Sequence, residues 1–508
     1  MHPALQLNDI IYVIFRHLNG SSLSYHDEPG LGGNLGQMTL ARTCRVFHEP
    51  ALDVLWRDLY FPPCLIQCLS DSGTGAIHYI NRTITLTARD WEVLQKYVPR
   101  VLSLTFNPEL TFCRYLLKAL RQPPVAQPPL PNLRRLQCYS HWAPEDYPLL
   151  DVFFVPSLTD LAIQVSYFHI PDFSFISPLP ILCPHLSSFR LFGYGSHESI
   201  KAIVSNVVMS LPHLQTLHCD QLSQAAITFV AWHPSLTKLD ISIPNGHSYD
   251  FSEFPHPTLP RIPPFSRIKS FGIDSFRLSV ITAFIQVVQP SPSHLRITMK
   301  QGSSPEGLLE LFNALSNQQR QESIQSLRVQ SYKSHEPRPA SIDIDTIRPL
   351  LCFSKLRELH LLMANSFRLS DEELTAMGAS WPCLEVINLN DSYAQAAPSN
   401  ITLHGLILLV NKCPLLRSAH LAINANVLKG IDEYPASKVG ENDLYNLVLA
   451  DTTVQNPRVF ALIVSLAFPK VKEITVGMRL PFHYGRHWDK VNEHLKAFRL
   501  CPEAIVDM

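Results

Sequence analysis

The feature that most constrains the fold of this chain is a short segment, Pro-x-Leu-x-x-Leu-x-Leu, which recurs along most of its 508 residues. Neighbouring copies begin roughly 22 to 32 residues apart, a period typical of repeat architectures. Because one unit of this length cannot bury its apolar face alone, neighbouring units must stack. Clear copies begin at Pro131, Pro156, Pro184, Pro212, Pro234, Ser354, Pro382 and Pro414, and weaker copies begin near Pro99, Ser266, Ser293, Gln325, Asn442 and Pro469.

Each copy predicts a β-strand, because its apolar residues alternate with period two. In the copy PHLSSFRLF, Phe189 and Leu191 are predicted to point inward. Ser188, Arg190 and Phe192 are predicted to point to the opposite face. Parallel stacking of such strands gives one buried face and one face that is free to bind.

The stretches between copies have helical apolar spacing. Ser370 is followed three residues later by Glu373, the pattern of a capping box at a helix start. Prolines lie where helices must end before the next strand, which accounts for 41 prolines against 19 glycines. The predicted helices include 199–211, 223–233, 279–289, 304–316 and 458–468.

Composition argues against several classes of partner. The net charge of −1 provides no basic surface for nucleic acid. The longest apolar run, from Val459 to Phe468, is far shorter than the roughly 20 residues that span a membrane. The N-terminus lacks the basic region of a signal peptide, and the 11 cysteines are scattered singly, as in reduced proteins. We therefore expect a cytoplasmic and/or nuclear protein with no nucleic-acid or membrane partner.

From Pro99 to Val476 the repeats resemble the leucine-rich-repeat family. The resemblance implies an α/β solenoid with parallel strands on a concave face and helices on a convex face. The asparagine that the family places after the strand occurs at Asn424 and is replaced in most other copies, so irregular turns are expected.

The N-terminal segments LQLNDIIYVIFRHL (5–18) and LARTCRVFHEPALDVLWRDL (40–59) have a different pattern. Asn8 is a suitable N-cap for a first helix whose apolar stripe is too wide for a short helix to bury alone. Further helices are predicted to begin near Thr39 and near Pro50. These segments resemble the F-box family, especially fungal F-box-like proteins.

The F-box resemblance implies docking on a Skp-type adaptor, which joins the module to a cullin scaffold. From sequence, adaptor contacts cannot be separated from the module's own core, and a module that only caps the N-terminus of the repeats is the alternative. The residues implied are Leu5, Leu7, Ile10, Ile11, Ile14, Phe15, Leu18, Leu40, Cys44, Arg45, Phe47, Leu55 and Trp56.

The predicted organisation is an F-box-like module (1–60), a connecting or capping segment (61–98), the solenoid (99–480) and a C-terminal cap or tail (481–508). The outward strand positions form the predicted surface for an unknown target protein, with Phe192 and Arg190 as its first anchor candidates. His218, His360 and His420 share one outward position, either by chance or for a common ligand or pH response. The full outward set is Arg135, Gln137, Arg190, Phe192, Thr216, His218, Lys238, Asp240, Glu358, His360, Asn388 and His420.

Other motifs give no catalytic, cofactor or metal prediction. The glycines of 30–36 lack the residues of a phosphate loop, and neither the Cys64–Cys68 nor the His483–His487 spacing comes with a complete ligand set. The loops 244–264 and 333–339 are either lids over one rim or simple insertions. We therefore expect a non-catalytic substrate-recognition subunit of an SCF-type ubiquitin ligase. The alternative is an adaptor-independent leucine-rich-repeat scaffold.

Overall fold

The computed structural model describes residues 8–18, 39–61, 86–106, 112–122, 128–139, 144–165, 172–195, 197–244, 264–316, 323–331, 340–389, 399–427, 442–449, 454–476 and 482–500. The chain forms two compact units, Met1–Ile227 and Thr228–Met508. Leu5, Leu7, the glycines of 30–36, Cys64, Cys68 and most of the two long loops lie outside the described residues.

The α-helices of the described residues alternate with strands over most of the chain. A helical turn at 39–41 follows the first helix. The helices are α1 (Asn8–Leu18), α2 (Arg45–Arg57), α3 (Ala88–Tyr97), α4 (Phe112–Leu120), α5 (Leu179–Leu182), α6 (Glu198–Met209), α7 (Gln224–Ala231), α8 (Leu278–Val288), α9 (Pro305–Ser316), α10 (Ile344–Ile347), α11 (Asp371–Ser380), α12 (Leu403–Lys412), α13 (Pro457–Ala467) and α14 (Phe482–Leu500).

The first unit carries strands β1 to β6 and the second carries β7 to β15. Within each unit, strands adjacent in sequence pair in parallel wherever both are described. The strands are β1 (Asp58–Phe61), β2 (Ser103–Phe106), β3 (Arg135–Cys138), β4 (Asp160–Gln164), β5 (Ser188–Phe192), β6 (Thr216–Cys219), β7 (Lys238–Ile243), β8 (Ser270–Ser275), β9 (His294–Met299), β10 (Ser326–Ser331), β11 (Glu358–Leu362), β12 (Val386–Leu389), β13 (Ser418–Leu421), β14 (Asn446–Leu449) and β15 (Ile474–Val476).

The repeat prediction is confirmed: every predicted copy, clear or weak, contains a strand. The strands stay in register along an apolar row, in which Leu327 of β10 lies beside Leu295 and Leu359. All three side chains are buried. Because this row is completed only by neighbouring repeats, stacking supplies the core that a single repeat lacks. The result is the parallel strand-and-helix architecture of leucine-rich repeats.

The predicted helices are confirmed to within two residues, and Ser370 and Glu373 form the expected capping box. Not every repeat carries a full helix, however. Tight 3₁₀ turns replace it at Pro144–Phe153, at Phe173–Ile176 and at Arg348–Cys352. Prolines within or beside these segments remove backbone donors that a continuous α-helix would use. The expected irregularity therefore lies in the connections, while the strands keep their register.

Two N-terminal boundaries differ from the prediction. The third helix of the module begins at Arg45 rather than near Pro50, because Cys44 is extended and its carbonyl accepts bonds from the amides of Phe47 and His48. The sheet also begins earlier than residue 99. Strand β1 follows α2 directly and pairs with β2, since Leu59 lies beside Leu104 in the buried row. Helix α3, with its Thr87 capping box, lies in the segment predicted to be a connector.

At the C-terminal end, α14 covers the last strand. Asn492 of α14 accepts a bond from the amide of Ile474 at 2.9 Å and donates to its carbonyl at 3.1 Å. Trp488 packs edge-on against Phe460 of α13. The backbone of β15 is therefore hydrogen-bonded to α14 at Ile474.

Candidate protein-interaction surfaces

The N-terminal module buries one side of α1. Ile11 and Phe15, four residues apart, lie on one helix face and pack with Ala41, Ala51 and Val54. The ring of Phe47 meets that of Phe15 edge-on, at 5.3 Å between centroids. This small core uses the apolar side of α2 and leaves the other side of α1 without a described neighbour.

The opposite side of α1 carries apolar side chains that remain exposed. Ile10, Val13 and Ile14 are 38%, 52% and 39% exposed, and their spacing places them together on one helix face. Val46 of α2 is 39% exposed as well. We call Ile10, Val13 and Ile14 the apolar face of the module. A cluster of this kind marks a contact surface more often than scattered single residues do.

The structure divides the predicted adaptor residues into groups that the sequence could not separate. Side chains in the interior are Ile11, Phe15 and Trp56; those partly buried are Leu40, Cys44, Phe47 and Leu55; those exposed are Ile10, Ile14 and Arg45. Leu18 ends α1, but its side chain is outside the description. Val13 and Val46 are exposed apolar residues outside the predicted set, and helical periodicity beside Ile10 and Ile14 would have added Val13 to it.

The module is fastened to the first repeat through polar and aromatic contacts. The guanidinium of Arg100, just before β2, binds the carboxylates of Glu49 and Asp53 on α2. The hydrogen bond from Arg100 lowers the pKa of Glu49 below its usual value. Trp56 stacks on Tyr97 of α3, at 4.6 Å between centroids and 17° between planes. Trp56 therefore contacts the chain's own repeat.

Alternate strand residues point away from the buried row, and we call this side of the sheet in each unit its open face. On the open face of the first unit, Phe192 and His218 form a stacked pair, with ring centroids 4.5 Å apart and ring planes 7° apart. Arg190 lies beside His218 in register, and its buried Nε has no acceptor among the residues described around it. The predicted alternation holds for these residues. Ser188, predicted to point outward, is buried, because it lies between Asp160 and Thr216 in its row.

Other predicted residues of the first unit lie nearer its N-terminal end. Arg135 binds Asp58 of β1 at 3.2 Å, and Gln137 accepts a bond from Thr105 at 3.4 Å. Thr216 begins β6 and is half-buried. The predicted set is therefore spread across the strands of this unit, with Arg190, Phe192 and His218 as its one compact group.

The loop after β5 is held by a buried carboxylate. Asp220 Oδ2 accepts bonds from the amides of Gly193 and Gly195, at 2.9 and 2.7 Å. Gly193 has φ of +96°, and a Cβ there would lie 2.1 Å from the carbonyl oxygen of Val165. Only glycine fits this close approach. The loop that follows Phe192 is thereby fixed in place.

On the open face of the second unit, Asp240 of β7 binds Arg296 of β9 at 2.7 Å, across the intervening strand β8. The residue between them in register is Gly272. A Cβ at Gly272 would lie 1.6 Å from Asp240 Oδ1. The ion pair therefore depends on a residue without a side chain.

The remaining predicted residues of this unit lie on the same face. Lys238 is exposed, and Glu358 accepts a bond from Ser326 at 2.7 Å. His360 and His420 share one row with Asn388 between them, whereas His218 belongs to the first unit. The three histidines therefore do not form one described cluster.

Asn388 differs from its predicted exposure, because it is only 3% exposed. Its amide contacts His420 Nδ1 at 3.3 Å, while Ser418 and Asn446 contact His420 Nε2 at 2.9 and 3.2 Å. Four polar side chains on adjacent strands thus satisfy one another. This group stabilises the open face at β12–β14.

Two exposed arginines of the open face were missed, Arg296 and Arg328. They belong to the weaker copies near Ser293 and Gln325, where the strand starts one residue after the motif rather than four. Aligning those copies on their buried leucines, Leu295 and Leu327, would have placed both arginines on the outward row.

The part of the chain that is described contains no group of three or more His, Cys, Asp or Glu side chains placed to hold a metal ion. No helix within it is both long and apolar enough to cross a bilayer. The side chain of His483 lies outside that part.

No protein-family model matches the chain. No curated protein sequence matches it either. Among solved structures, the chain is similar to one from the complex of Rad7 and Elc1 in yeast, with a TM-score of 0.38 and 15% identity over 66% of this chain and 82% of that one. It is also similar to the internalin InlF of Listeria monocytogenes, with a TM-score of 0.33 and 15% identity over 70% and 82%. Likenesses at this level carry no functional information about the chain.

Proposed function

We propose that this chain is the substrate-recognition subunit of an SCF-type ubiquitin ligase, which holds a Skp-type adaptor with its N-terminal module and a target protein with the open face of its repeats. The apolar face of the module carries the proposal. Ile10, Val13 and Ile14 lie within a segment that resembles the F-box, and the module's own core contains Ile11 and Phe15 without them.

The alternative role, a module that only caps the repeats, accounts less well for this arrangement. A cap buries its apolar side chains against the repeats, as Trp56 does against Tyr97. The apolar face remains exposed after that contact is made. Covering it with an adaptor would remove apolar area from water, which favours association.

The proposed mechanism uses proximity and orientation and needs no catalytic group of this chain. Arg100 and the Trp56–Tyr97 stack hold the module against the first repeat, so a bound adaptor would have a defined orientation relative to that repeat. A cullin scaffold and a ubiquitin-conjugating enzyme would supply the chemistry. The proposed location is the cytoplasm, the nucleus or both.

The test is capture of a purified Skp-type adaptor by the full-length chain. We expect the double variant Val13→Ala/Ile14→Ala to capture the adaptor at least about 30-fold more weakly, since losing interface anchors typically costs about 2 kcal/mol or more. Ile181→Ala is the matched control, because Ile181 is an exposed isoleucine of the repeats. Equal capture by wild type and the double variant, or no capture by wild type, would refute the ligase role.

The second candidate is a scaffold that uses the same open face without an adaptor. The side chains of Arg190, Phe192 and Arg328 are available to a partner whether or not the module binds anything. A chain that captures no adaptor but still retains a target through Phe192 would be such a scaffold.

A further inference from the structure

Two arginines lie side by side on the open face of the second unit. Arg296 of β9 and Arg328 of β10 are register partners on adjacent parallel strands, so their Cα atoms are about 4.8 Å apart. Both side chains are exposed. Like charges directly opposite one another destabilise a sheet. A nearby negative charge would therefore reduce the repulsion between the two guanidinium groups.

Among the described residues, only one of the two arginines has a carboxylate partner. Asp240 reaches Arg296 across Gly272, at 2.7 Å. Arg328 forms no ion pair or side-chain hydrogen bond within the described residues. Its neighbours in the row are Arg296 on one side and His360 on the other.

Two other described carboxylates of this face, those of Glu358 and Asp274, accept hydrogen bonds from serines. Glu358 accepts a bond from Ser326 and makes no ion pair with Arg328. Asp274 accepts a bond from Ser242. A guanidinium that is exposed, unpaired and flanked by a second cation is a site for a carboxylate, whose two oxygens match its donors.

We propose that Arg328, with Arg296 beside it, binds an acidic segment of the target protein, one that presents Asp or Glu carboxylates to the open face at β9 and β10. This inference deepens the proposed function by giving the chemistry of the target. An incoming carboxylate would pair with Arg328 and reduce its repulsion with Arg296. Asp240 lowers the affinity of the site for a carboxylate, because it already pairs with Arg296.

The test uses the full-length chain and a fluorescein-labelled oligoglutamate peptide, followed by fluorescence anisotropy, with an oligoglutamine peptide of equal length for comparison. We expect the glutamate peptide to bind and the glutamine peptide not to. Arg328→Ala should weaken binding about three- to fivefold, the value of one solvent-exposed ion pair. Added NaCl should weaken binding further, because the contacts are exposed.

A variant that binds the glutamate peptide more tightly is a stronger test, because misfolding cannot increase affinity. Asp240→Asn frees Arg296 and should tighten glutamate-peptide binding about threefold or more. Arg458→Ala is the matched control, because Arg458 is an exposed arginine of α13 and its loss changes the net charge by the same amount as that of Arg328. Binding by Arg458→Ala should equal that of wild type.

Three results would overturn the inference: no binding of the glutamate peptide, equal binding of both peptides, or equal losses in Arg328→Ala and Arg458→Ala. Adaptor capture is measured separately and does not involve Arg328. Failure of the acidic-segment inference thus leaves the ligase role intact, and failure of adaptor capture leaves this inference testable on its own.

Discussion

The N-terminal module and the repeats treat apolar side chains in opposite ways. In the repeats the strand leucines, such as Leu327 and Leu359, are buried by the next repeat along. In the module, helix α1 buries Ile11 and Phe15 and leaves Val13 and Ile14 exposed. A repeat array supplies its own neighbours, whereas in the module α2 and the turn at 39–41 pack on one side of α1. The side that has no neighbour among the described residues is the one available to a partner.

Exposed apolar residues also occur in the repeats. Ile181 is 83% exposed, and its chain neighbour Leu182 is 39% exposed. Residues next to each other in sequence point to different sides of a helix, so this pair does not form a row along one helix face. Single exposed hydrophobic residues are ordinary on protein surfaces. What distinguishes the module is the grouping of several such residues on adjacent turns, so experiments should compare grouped, buried and isolated apolar residues.

The largest effect is expected in the core of the repeats. Trp381→Ala should lower the free energy of unfolding by about 3 to 5 kcal/mol, because it leaves a large cavity. The change also removes the bond from the indole to the carbonyl of Leu350, at 3.1 Å. Urea denaturation of the full-length chain measures it. Leu415→Ala, at an exposed position, should change the value by less than about 0.5 kcal/mol. Similar values for both variants would contradict the core assignment.

Within the module, the same comparison can be made between the two sides of α1. Phe15→Ala should destabilise the module by about 3 kcal/mol, since Phe15 packs with Phe47 in its core. Val13→Ala should cost less than about 0.5 kcal/mol of stability while still weakening adaptor capture. Hydrogen exchange of the amides of α1 and α2 reports the stability of this region. Equal protection of these amides from exchange in the two variants would contradict the assignment of Phe15 to the core and Val13 to the contact face.

The sequence alone was sufficient to predict the strands of the repeats. It was insufficient to predict which residues of α1 are buried and which are exposed. Period-two alternation and proline placement predict strands because each depends on a few neighbouring residues, and all predicted copies contain one. Whether Ile11 or Ile14 is buried depends on how α1 rotates against α2, which the similar residue types on both sides of α1 do not specify. The Asp240–Arg296 pair depends on Gly272, one strand away from each. Such contacts become visible only once register is known.

A moderate effect on stability is expected at the C-terminal end. There the backbone of β15 is stabilised by side-chain hydrogen bonds, whereas the module is stabilised by apolar packing. Asn492→Ala removes both bonds to Ile474 and leaves its backbone groups unpaired. We expect a loss of about 1 to 2 kcal/mol. Thermal unfolding measures it, with Asn492→Asp as a control that keeps the acceptor for the amide of Ile474. If Asn492→Ala were as stable as wild type, the edge of β15 would not rely on this side chain.

The smallest effect lies at the junction between the module and the first repeat, and it depends on pH. The hydrogen bond from Arg100 holds the pKa of Glu49 below its ordinary value of 4.5, so the folded state favours the carboxylate. The stabilisation is therefore fully present above pH 4.5 and is lost as the pH falls through the lower pKa of the folded state. Since Glu49 is largely exposed, solvent screening limits the contribution to less than about 1 kcal/mol.

Unfolding free energies of wild type and Glu49→Gln, compared at neutral and acidic pH, test this sign. The difference between the two proteins should be measurable at neutral pH and should shrink steadily under acid, because wild-type Glu49 is then protonated and resembles glutamine. Glu493→Gln, on α14, should show no such convergence, since Glu493 forms no ion pair within the described residues. A difference that grows as the pH falls would mean that Arg100 does not stabilise the charged form of Glu49. The attachment of the module would then rest on the Trp56–Tyr97 stack and on Asp53.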